Sequence, residues 1–504
     1  SPRKWFPIGL AYIATAAERA GYPVTIYDID AHRHSDQEFE AFLKKNKFDV
    51  VGFGCLVTHY AWTKWATGVI RETQPHAKII LGNTVSTSIP DRILSRTDAD
   101  IAVIGEGDVT FVEILKAMDH DEPLDSVDGI HFKKGENIIS NPLRTPIADL
   151  DSMPYPNRDL FDIEVYLEAT PTTVGEPYPI PLEQIQALNI NTSRGCVFSC
   201  TFCYHGFQGT GYRYRSAESV VGEILELKSK YGVNFLHLFD DLTFSARGMV
   251  EKFCDKLISE GLHVFWTGSI LATLFGKPSD RDAEIVRKMK QTGCVSVGYS
   301  IESANLDILN AMNKHISLEG FTNTRKTLLA GGVASLSSVV FGYPQETRET
   351  IKNTVDFCID LGITPSAGFL LPLPGTPMYD LALQRGVIED EEEYLTTFAD
   401  RQDLTVNLTT MSDEDLVQTV TDEITRCQKA VLGDEISFDN PLKTGKYTSR
   451  DDITSNMEEM DAFDSESGLN PTRLDSGSAY TVFDYYKTDG MVPSVESNQS
   501  TEQD

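Results

Sequence analysis

The chain has 504 residues, 44 of them Lys or Arg and 75 Asp or Glu, a formal net charge of −31. That excess disfavours nucleic acid and anionic lipid as partners, because broad contact with phosphate is opposed by like charge. The apolar share of 41% is that of a globular protein, and no apolar run approaches the roughly 20 residues of a membrane-spanning helix.

So long a chain exceeds what one hydrophobic core organises, and two or three domains are expected. Residues 9 to about 118 alternate helix-like and strand-like stretches: GLAYIATAAERAGY, PVTIYDI, EFEAFLKKN, FDVVGFGC, a helical run to Glu72, AKIILG, PDRILSR and ADIAVIGEG. This is the alternation of a doubly wound, Rossmann-like parallel sheet. The series opens on a helix where such a unit should open on a strand, so a first strand is expected upstream of Ser1. The opening residues also show no basic, apolar and small-residue sequence of the kind that marks a secretory leader.

Residues 119 to about 185 are rich in Pro, Asp and Gly and read as a connection. From Ala187 the alternation resumes, with strand candidates ALNINTS, NFLHLF, HVFWTG, VSVGYS, VASLSSVVFG and SAGFLL. Six repeats suit a partial (β/α)6 barrel of the TIM type, whose ligands sit at the carboxyl ends of the strands. Beyond residue 400 a helical extension leads into an acidic, apolar-poor tail with a disorder-like composition. The domains expected are therefore 1–140, a linker 141–185, 186–400, and the extension and tail 401–504.

Eight cysteines in a chain of this length do not make a disulfide scaffold. Cys55, Cys254, Cys294, Cys358 and Cys427 are scattered and read as small buried apolar residues. The other three, Cys196, Cys200 and Cys203, follow the first strand of the second unit in NTSRGCVFSCTFCYHG, at the spacing C-x3-C-x2-C. Three thiolates on one tight loop suit a soft metal or an iron–sulfur cluster. Structural zinc would need a fourth protein ligand, and there is no second cysteine pair; His205, two positions after Cys203, is awkwardly placed to serve. A cubane held by three cysteines keeps one iron open.

With aromatic Phe202 before the last cysteine, this segment resembles the C-x3-C-x-aromatic-C signature of the radical S-adenosylmethionine (SAM) superfamily. From about Pro7 to about Ala382 the chain is similar to the subgroup with an amino-terminal cobalamin-binding domain. The resemblance implies a [4Fe-4S] cluster on Cys196, Cys200 and Cys203, with SAM chelating the open iron. It implies SAM contacts from Phe202, from the acids Asp240 and Asp241 after the second strand, and from Ser300 and Glu302 after the fourth. Arg215 in YRYRSAESV resembles another recurring element, whose alternative reading is a structural cation. FGYPQETRETI and LPLPGTPMYDLA resemble the subgroup's later loops, in order.

In the first unit, the strand ends CLVTHY, LGNTVST and IGEGDVTF resemble cobalamin-binding loops, which implies contacts from Thr58, Gly82, Asn83, Gly105, Glu106 and Gly107. Gly82 is followed by Asn83 where the subgroup has two glycines, and the Asp-x-His-x-x-Gly ligand motif is absent; His59 is a candidate replacement ligand, although most loop histidines bind no metal. The implied function is an enzyme that cleaves SAM to a 5′-deoxyadenosyl radical, with cobalamin-dependent methylation of an unactivated carbon in a small-molecule substrate. An electron donor such as flavodoxin or ferredoxin and a cytoplasmic location are expected. The alternatives are a radical SAM oxidative cyclase or rearrangement enzyme and, from another class, a non-catalytic corrinoid or iron–sulfur binding module. A methylthiotransferase would need three further cysteines in residues 1–140, which contain only Cys55.

Overall fold

Residues 3–175, 178–204, 206–207, 209–398, 400–433 and 440–442 are described by the computed structural model. In the amino-terminal unit, β1 (Val50–Gly54), β2 (Lys78–Gly82) and β3 (Ile101–Val103) run parallel, in the order β1-β2-β3. Ile79, Ile80, Leu81, Ile101, Ala102 and Val103 are all buried, the continuous apolar pattern of strands covered on both faces. Helices Ile8–Arg19, Asp36–Lys45, Tyr60–Thr73 and Gly107–Asp119 provide that cover. Helix Asp36–Lys45 is started by a capping box in which Ser35 and Glu38 satisfy each other's backbone N–H.

Two elements differ from the sequence reading. Residues 130–140, within the Pro- and Gly-rich connection, form a hairpin of β4 (Ile130–Lys134) and β5 (Asn137–Ser140) that extends the first sheet antiparallel to β3. The cause is local: Ile130 and Phe132 alternate into the core and Gly135, at φ 64°, makes the tight turn. PVTIYDI, read as a strand, forms none, since β1 pairs on one side only, with β2. Residues 141–185 carry only short helical turns, such as Leu150–Ser152, Arg158–Leu160 and Ile163–Glu168.

The second unit holds β6 (Ala187–Ile190), β7 (Ser193–Arg194), β8 (Arg213–Tyr214), β9 (Phe235–Leu238), β10 (Phe265–Ser269), β11 (Cys294–Gly298), β12 (Ala334–Leu336), β13 (Ser338–Phe341) and β14 (Ser366–Phe369). A parallel sheet in the order β12-β11-β10-β9-β6 curves into the parallel pair β13-β14. VASLSSVVFG, expected as one strand, is broken at Ser337 into β12 and β13, and a bridge from Glu302 to Val339 carries the curve across the break. The result is the expected partial barrel of six βα repeats. Leu188, Ile190, Leu236, Leu238 and Trp266 are buried in the core together with Val220, Ile224, Phe253 and Leu257 of helices Ala217–Tyr231 and Arg247–Ser259.

Both units share one core. Phe6 and Tyr60 of the first belong to the same buried cluster as Leu188 and Ile190 of the second. Glu223 lies buried between Arg158 of the connection, at 2.8 Å, and Arg215. Helix Asp413–Leu432 packs on helix Arg348–Asp360 with Arg426 bound to Asp356 at 2.6 Å. The acidic tail from residue 443 lies outside the described residues. Among the described residues no helix is long and apolar enough to cross a membrane.

Candidate cluster and cofactor site

The cysteine loop is an excursion between β7 and β8, closed at its base by the pairs Ser193–Tyr214 and Arg194–Arg213. Gly195 opens it at φ 83°, and a Cβ there would stand 2.7 Å from the Gly211 carbonyl oxygen, so only glycine fits the turn. Thr201 fastens the far side: its N–H donates to Met312 O at 3.0 Å, and its hydroxyl lies 2.9 Å from both Ala311 O and Tyr343 Oη. Asn313 Nδ2 donates to Ser199 O at 2.9 Å, and the Phe202 ring meets Tyr343 edge-on at 6.2 Å. Helix end, barrel strand and loop thus hold the cysteines from three directions.

Burial pushes the Cys200 thiol up to about 11, and the thiol of Cys203, a residue otherwise exposed, is raised as well by desolvation of its sulfur. Cys203 is raised further by the charges of Cys200, Asp241, Cys196 and Glu302, whereas Lys314 pulls Cys196 and Cys200 back. This mutual influence gathers the three thiols with two carboxylates and one ammonium in a single site. Protonated thiols become ligands when a cation displaces their protons, which is what bound iron does. Among the described residues no three His, Cys, Asp or Glu converge on a point that would hold one metal ion. Three thiols carried on one short loop are the donor set that suits an iron–sulfur cluster. His205, weighed for zinc, lies outside the described residues.

The adjacent acids divide their work. Asp240 accepts from Thr192 N and Oγ1, both at 2.7 Å, and from Ser193 N at 3.0 Å, tying the end of β9 to the base of the cysteine loop. Burial raises its carboxyl group, and those hydrogen bonds pull it back. Asp241 is exposed, and its charge is felt by Cys196 and Cys203. Ser300 Oγ lies 2.7 Å from Ser338 Oγ. Glu302 sits at φ 63°, held there by N–H donation to Ser338 O at 3.1 Å, and its carboxylate accepts from Lys314 Nζ at 2.9 Å. Sequence reasoning missed Lys314. It closes the LDILNAMNK run, but nothing local announces that it folds back onto Glu302.

Arg215 is held by protein groups: its Nε and Nη2 donate to Ser219, and its Nη1 to Asn191 O at 2.8 Å and to Glu223, so four of the five N–H groups of this buried guanidinium are taken within the protein, the pattern of a structural cation.

The three amino-terminal loops interlock at the carboxyl ends of β1, β2 and β3. Cys55 N donates to Gly82 O at 3.0 Å, Val85 N to Cys55 O at 3.1 Å, and Gly105 N to Thr87 Oγ1 at 3.0 Å. A Cβ at Gly82 would meet nothing within 4 Å, and Ser86 Oγ is sealed among protein atoms without a hydrogen-bond partner. The free space at Gly82 leaves room for a ligand to approach the backbone at the carboxyl end of β2. Asn83, at φ 73°, accepts from Thr84 N, while Thr58 and His59 are exposed on the turn after β1. Two of the expected contact positions meet protein groups. Glu106 is buried, accepts from Ile147 N at 3.0 Å and pairs with Arg194 and Arg213. A Cβ at Gly107 would lie 2.9 Å from Ile13 Cδ1, so Ile13 packs against this position.

These loops face the barrel mouth. A Cβ at Gly375, after β14, would lie 2.8 Å from Ser88 Cβ and 2.7 Å from the Tyr204 ring, and the equivalent point on Gly105 lies 4.0 Å from Gly206 O.

Comparison with known proteins agrees with both halves. The B12 binding domain family matches residues 1–115 and the Radical SAM superfamily matches residues 190–358. A Pyrococcus horikoshii protein named as an uncharacterized methyltransferase is 27% identical over 386 residues, 76% of this chain and 79% of its own. An anaerobic magnesium-protoporphyrin IX monomethyl ester cyclase of Cereibacter sphaeroides is 26% identical over 402 residues, covering 77% of this chain and 62% of its own length. The radical S-adenosylmethionine methyltransferase TsrM of Kitasatospora setae, solved with cobalamin and a [4Fe-4S] cluster, superposes with a TM-score of 0.61 at 17% identity, covering 76% of each chain. At that identity the likeness is one of fold.

Proposed function

Because this chain belongs to the radical SAM superfamily and joins that domain to an amino-terminal B12-binding domain, we propose that it methylates an unactivated carbon of a small molecule. Bound in the two sites, a reduced [4Fe-4S] cluster with SAM supplies a 5′-deoxyadenosyl radical and cobalamin supplies a methyl group. Cys196, Cys200 and Cys203 hold the cluster on a loop fixed by Gly195 and Thr201. Asp241 offers a carboxylate to the SAM ammonium, a charge-assisted pairing. Asp240 keeps the loop in register, and Lys314 sets the direction of the Glu302 carboxylate.

The observation that carries the reading is the convergence of the loops after β2 and β3 on Tyr204, Gly206 and Gly375. A methyl carrier must sit within reach of a substrate radical formed at the cluster, and that geometry brings the two sites face to face. Both relatives at similar identity, a methyltransferase and a cyclase, fit the same machinery, and the facing sites favour methyl transfer. A small reducing protein such as flavodoxin or ferredoxin supplies the electron, and an oxygen-sensitive cluster on reduced thiols suits the cytoplasm.

The test is anaerobic reconstitution with iron, sulfide and hydroxocobalamin, reduction, and addition of SAM labelled in its methyl group. Retained corrinoid, 5′-deoxyadenosine, and transfer of label to the corrinoid support the proposal, with all SAM cleavage lost in Cys200→Ala. Cleavage with no label transferred moves the assignment to the cyclase class. Iron uptake with no SAM cleavage would leave only a binding module.

A further inference from the structure

The amino-terminal domain grips the cysteine loop through one buried ion-pair network. Arg194, two residues before Cys196, donates Nη1 to Asp108 Oδ2 at 2.9 Å and Nη2 to Asp108 Oδ1 at 3.1 Å. The same Nη1 lies 3.2 Å from Glu106 Oε2. The guanidinium also lies over the Tyr12 ring at 5.4 Å and the Phe207 ring at 5.5 Å. Arg213, its partner across the β7–β8 ladder, pairs with Glu106 and donates to Ile147 O at 2.6 Å and Thr210 Oγ1 at 3.1 Å. The side chains are 9% exposed for Arg194, 12% for Asp108, 12% for Arg213 and 5% for Glu106, so the charges are largely withdrawn from solvent screening.

Glu106 and Asp108 flank the first residue of helix Gly107–Asp119 and follow directly on Gly105. Gly105 is hydrogen-bonded to Thr87 and faces Gly206 of the cysteine excursion. A ligand that orders the loops after β2 and β3 therefore fixes the carboxylates that hold Arg194. A group that orders the cysteine loop fixes the arginines that hold Glu106. Bidentate arginine–carboxylate pairs are directional, so displacement at one end is transmitted to the other.

We propose that Glu106 and Asp108 are positioning residues that couple corrinoid binding in the amino-terminal loops to cluster binding in the cysteine loop, each raising affinity for the other. The coupling rests on the proposed function, since it needs both groups to bind. Linkage requires the effect to be reciprocal.

Hydroxocobalamin is titrated, by its absorbance, against the full chain freed of iron and against the reconstituted chain. The wild type is expected to bind about fivefold or more tightly with the cluster present, the lower end of ordinary coupling between sites. Conversely, hydroxocobalamin should slow iron loss to a chelator. Asp108→Asn keeps the shape and drops the charge, and Arg194→Lys keeps a charge and loses the fork. In either variant that folds, the affinity ratio should fall toward one and the protection against the chelator should vanish. Equal wild-type affinities, with hydroxocobalamin bound in both states, would overturn the coupling and leave the proposed function standing. A ratio kept in both variants would overturn the assignment to these residues. No hydroxocobalamin bound in either state would remove the proposed function and the coupling together.

Discussion

Alanine at Gly195 tests whether the turn that opens the cysteine loop sets cluster retention. The residue lies at φ 83°, where an L side chain is strained by about 1–2 kcal/mol. The added Cβ would also lie 2.7 Å from Gly211 O, a backbone atom that can yield only by moving the strand entry at β8. Overpacking of this kind costs about 1–3 kcal/mol, for a total of about 2–5 kcal/mol. That strain falls one residue from Cys196 and is relieved most easily by letting the loop open. Gly232→Ala is the matched control, because Gly232 caps helix Ala217–Tyr231 at φ 70° with nothing within 4 Å of the added carbon. The assay is iron and sulfide per chain after anaerobic reconstitution, read beside the thermal midpoint. Gly232→Ala should melt slightly lower and keep its iron, whereas Gly195→Ala should lose most of its iron. Full iron in Gly195→Ala, with a midpoint like that of the control, would refute the reasoning.

Glu223→Gln should be severely destabilising, because it leaves Arg158 and Arg215 facing one neutral amide in a site where the carboxylate is 1% exposed. Breaking such a buried pair costs about 3–5 kcal/mol, and an unchanged urea midpoint would contradict that account. Glu346 gives a pH dependence. Burial pushes its carboxyl from the ordinary 4.5 up to about 7, and one of its oxygens has no hydrogen-bond partner. Between those values the folded chain holds the proton more tightly than the unfolded chain. Stability contributed by the neutral acid is thus present below about pH 4.5 and is lost as pH rises through about 7, by roughly 3 kcal/mol. Glu346→Gln abolishes that titration, so its stability relative to the wild type should rise from pH 5 to pH 8. A difference that stays flat with pH would show that the carboxyl is not perturbed.

What the sequence made legible was local or periodic. Cys196, Cys200 and Cys203 lie within eight residues, so their chemistry could be read before any fold was known. The six-repeat barrel followed from apolar stretches alternating with helical ones. The hairpin of β4 and β5 stayed hidden because Pro, Asp and Gly around it dominate the composition, although Ile130 and Phe132 already carried the alternation. The protein partners of Glu106 and Arg215 were hidden for a different reason. A charged residue beside a ligand loop looks the same in sequence whether it meets a cofactor or a distant guanidinium. Glu106 meets Arg194 and Arg213, residues of the other domain, and only the docking of the two domains reveals it. Gly107 is similar, since the sequence does not show that Ile13 packs against it.

Asp240 and Asp241 show how the fold separates what the sequence repeats. Two identical neighbours just after a strand have different surroundings, Asp240 bound by three donors and Asp241 exposed. Asp240 turns back to three donors on Thr192 and Ser193, which belong to the chain segment entering the cysteine loop. Asp241 is left exposed toward Cys196 and Cys203. A shift of the first strand end relative to the second would therefore move the cysteines and the exposed carboxylate together. A cluster held by the cysteines and a SAM ammonium paired with Asp241 would then keep a fixed separation. The same economy recurs on the opposite wall, where Glu302 is fixed by the backbone of β13 and by Lys314, whose neighbour Asn313 holds Ser199. The cluster loop and its surrounding acids thus form one mechanically connected ring around the barrel mouth, with the amino-terminal domain closing it through Arg194.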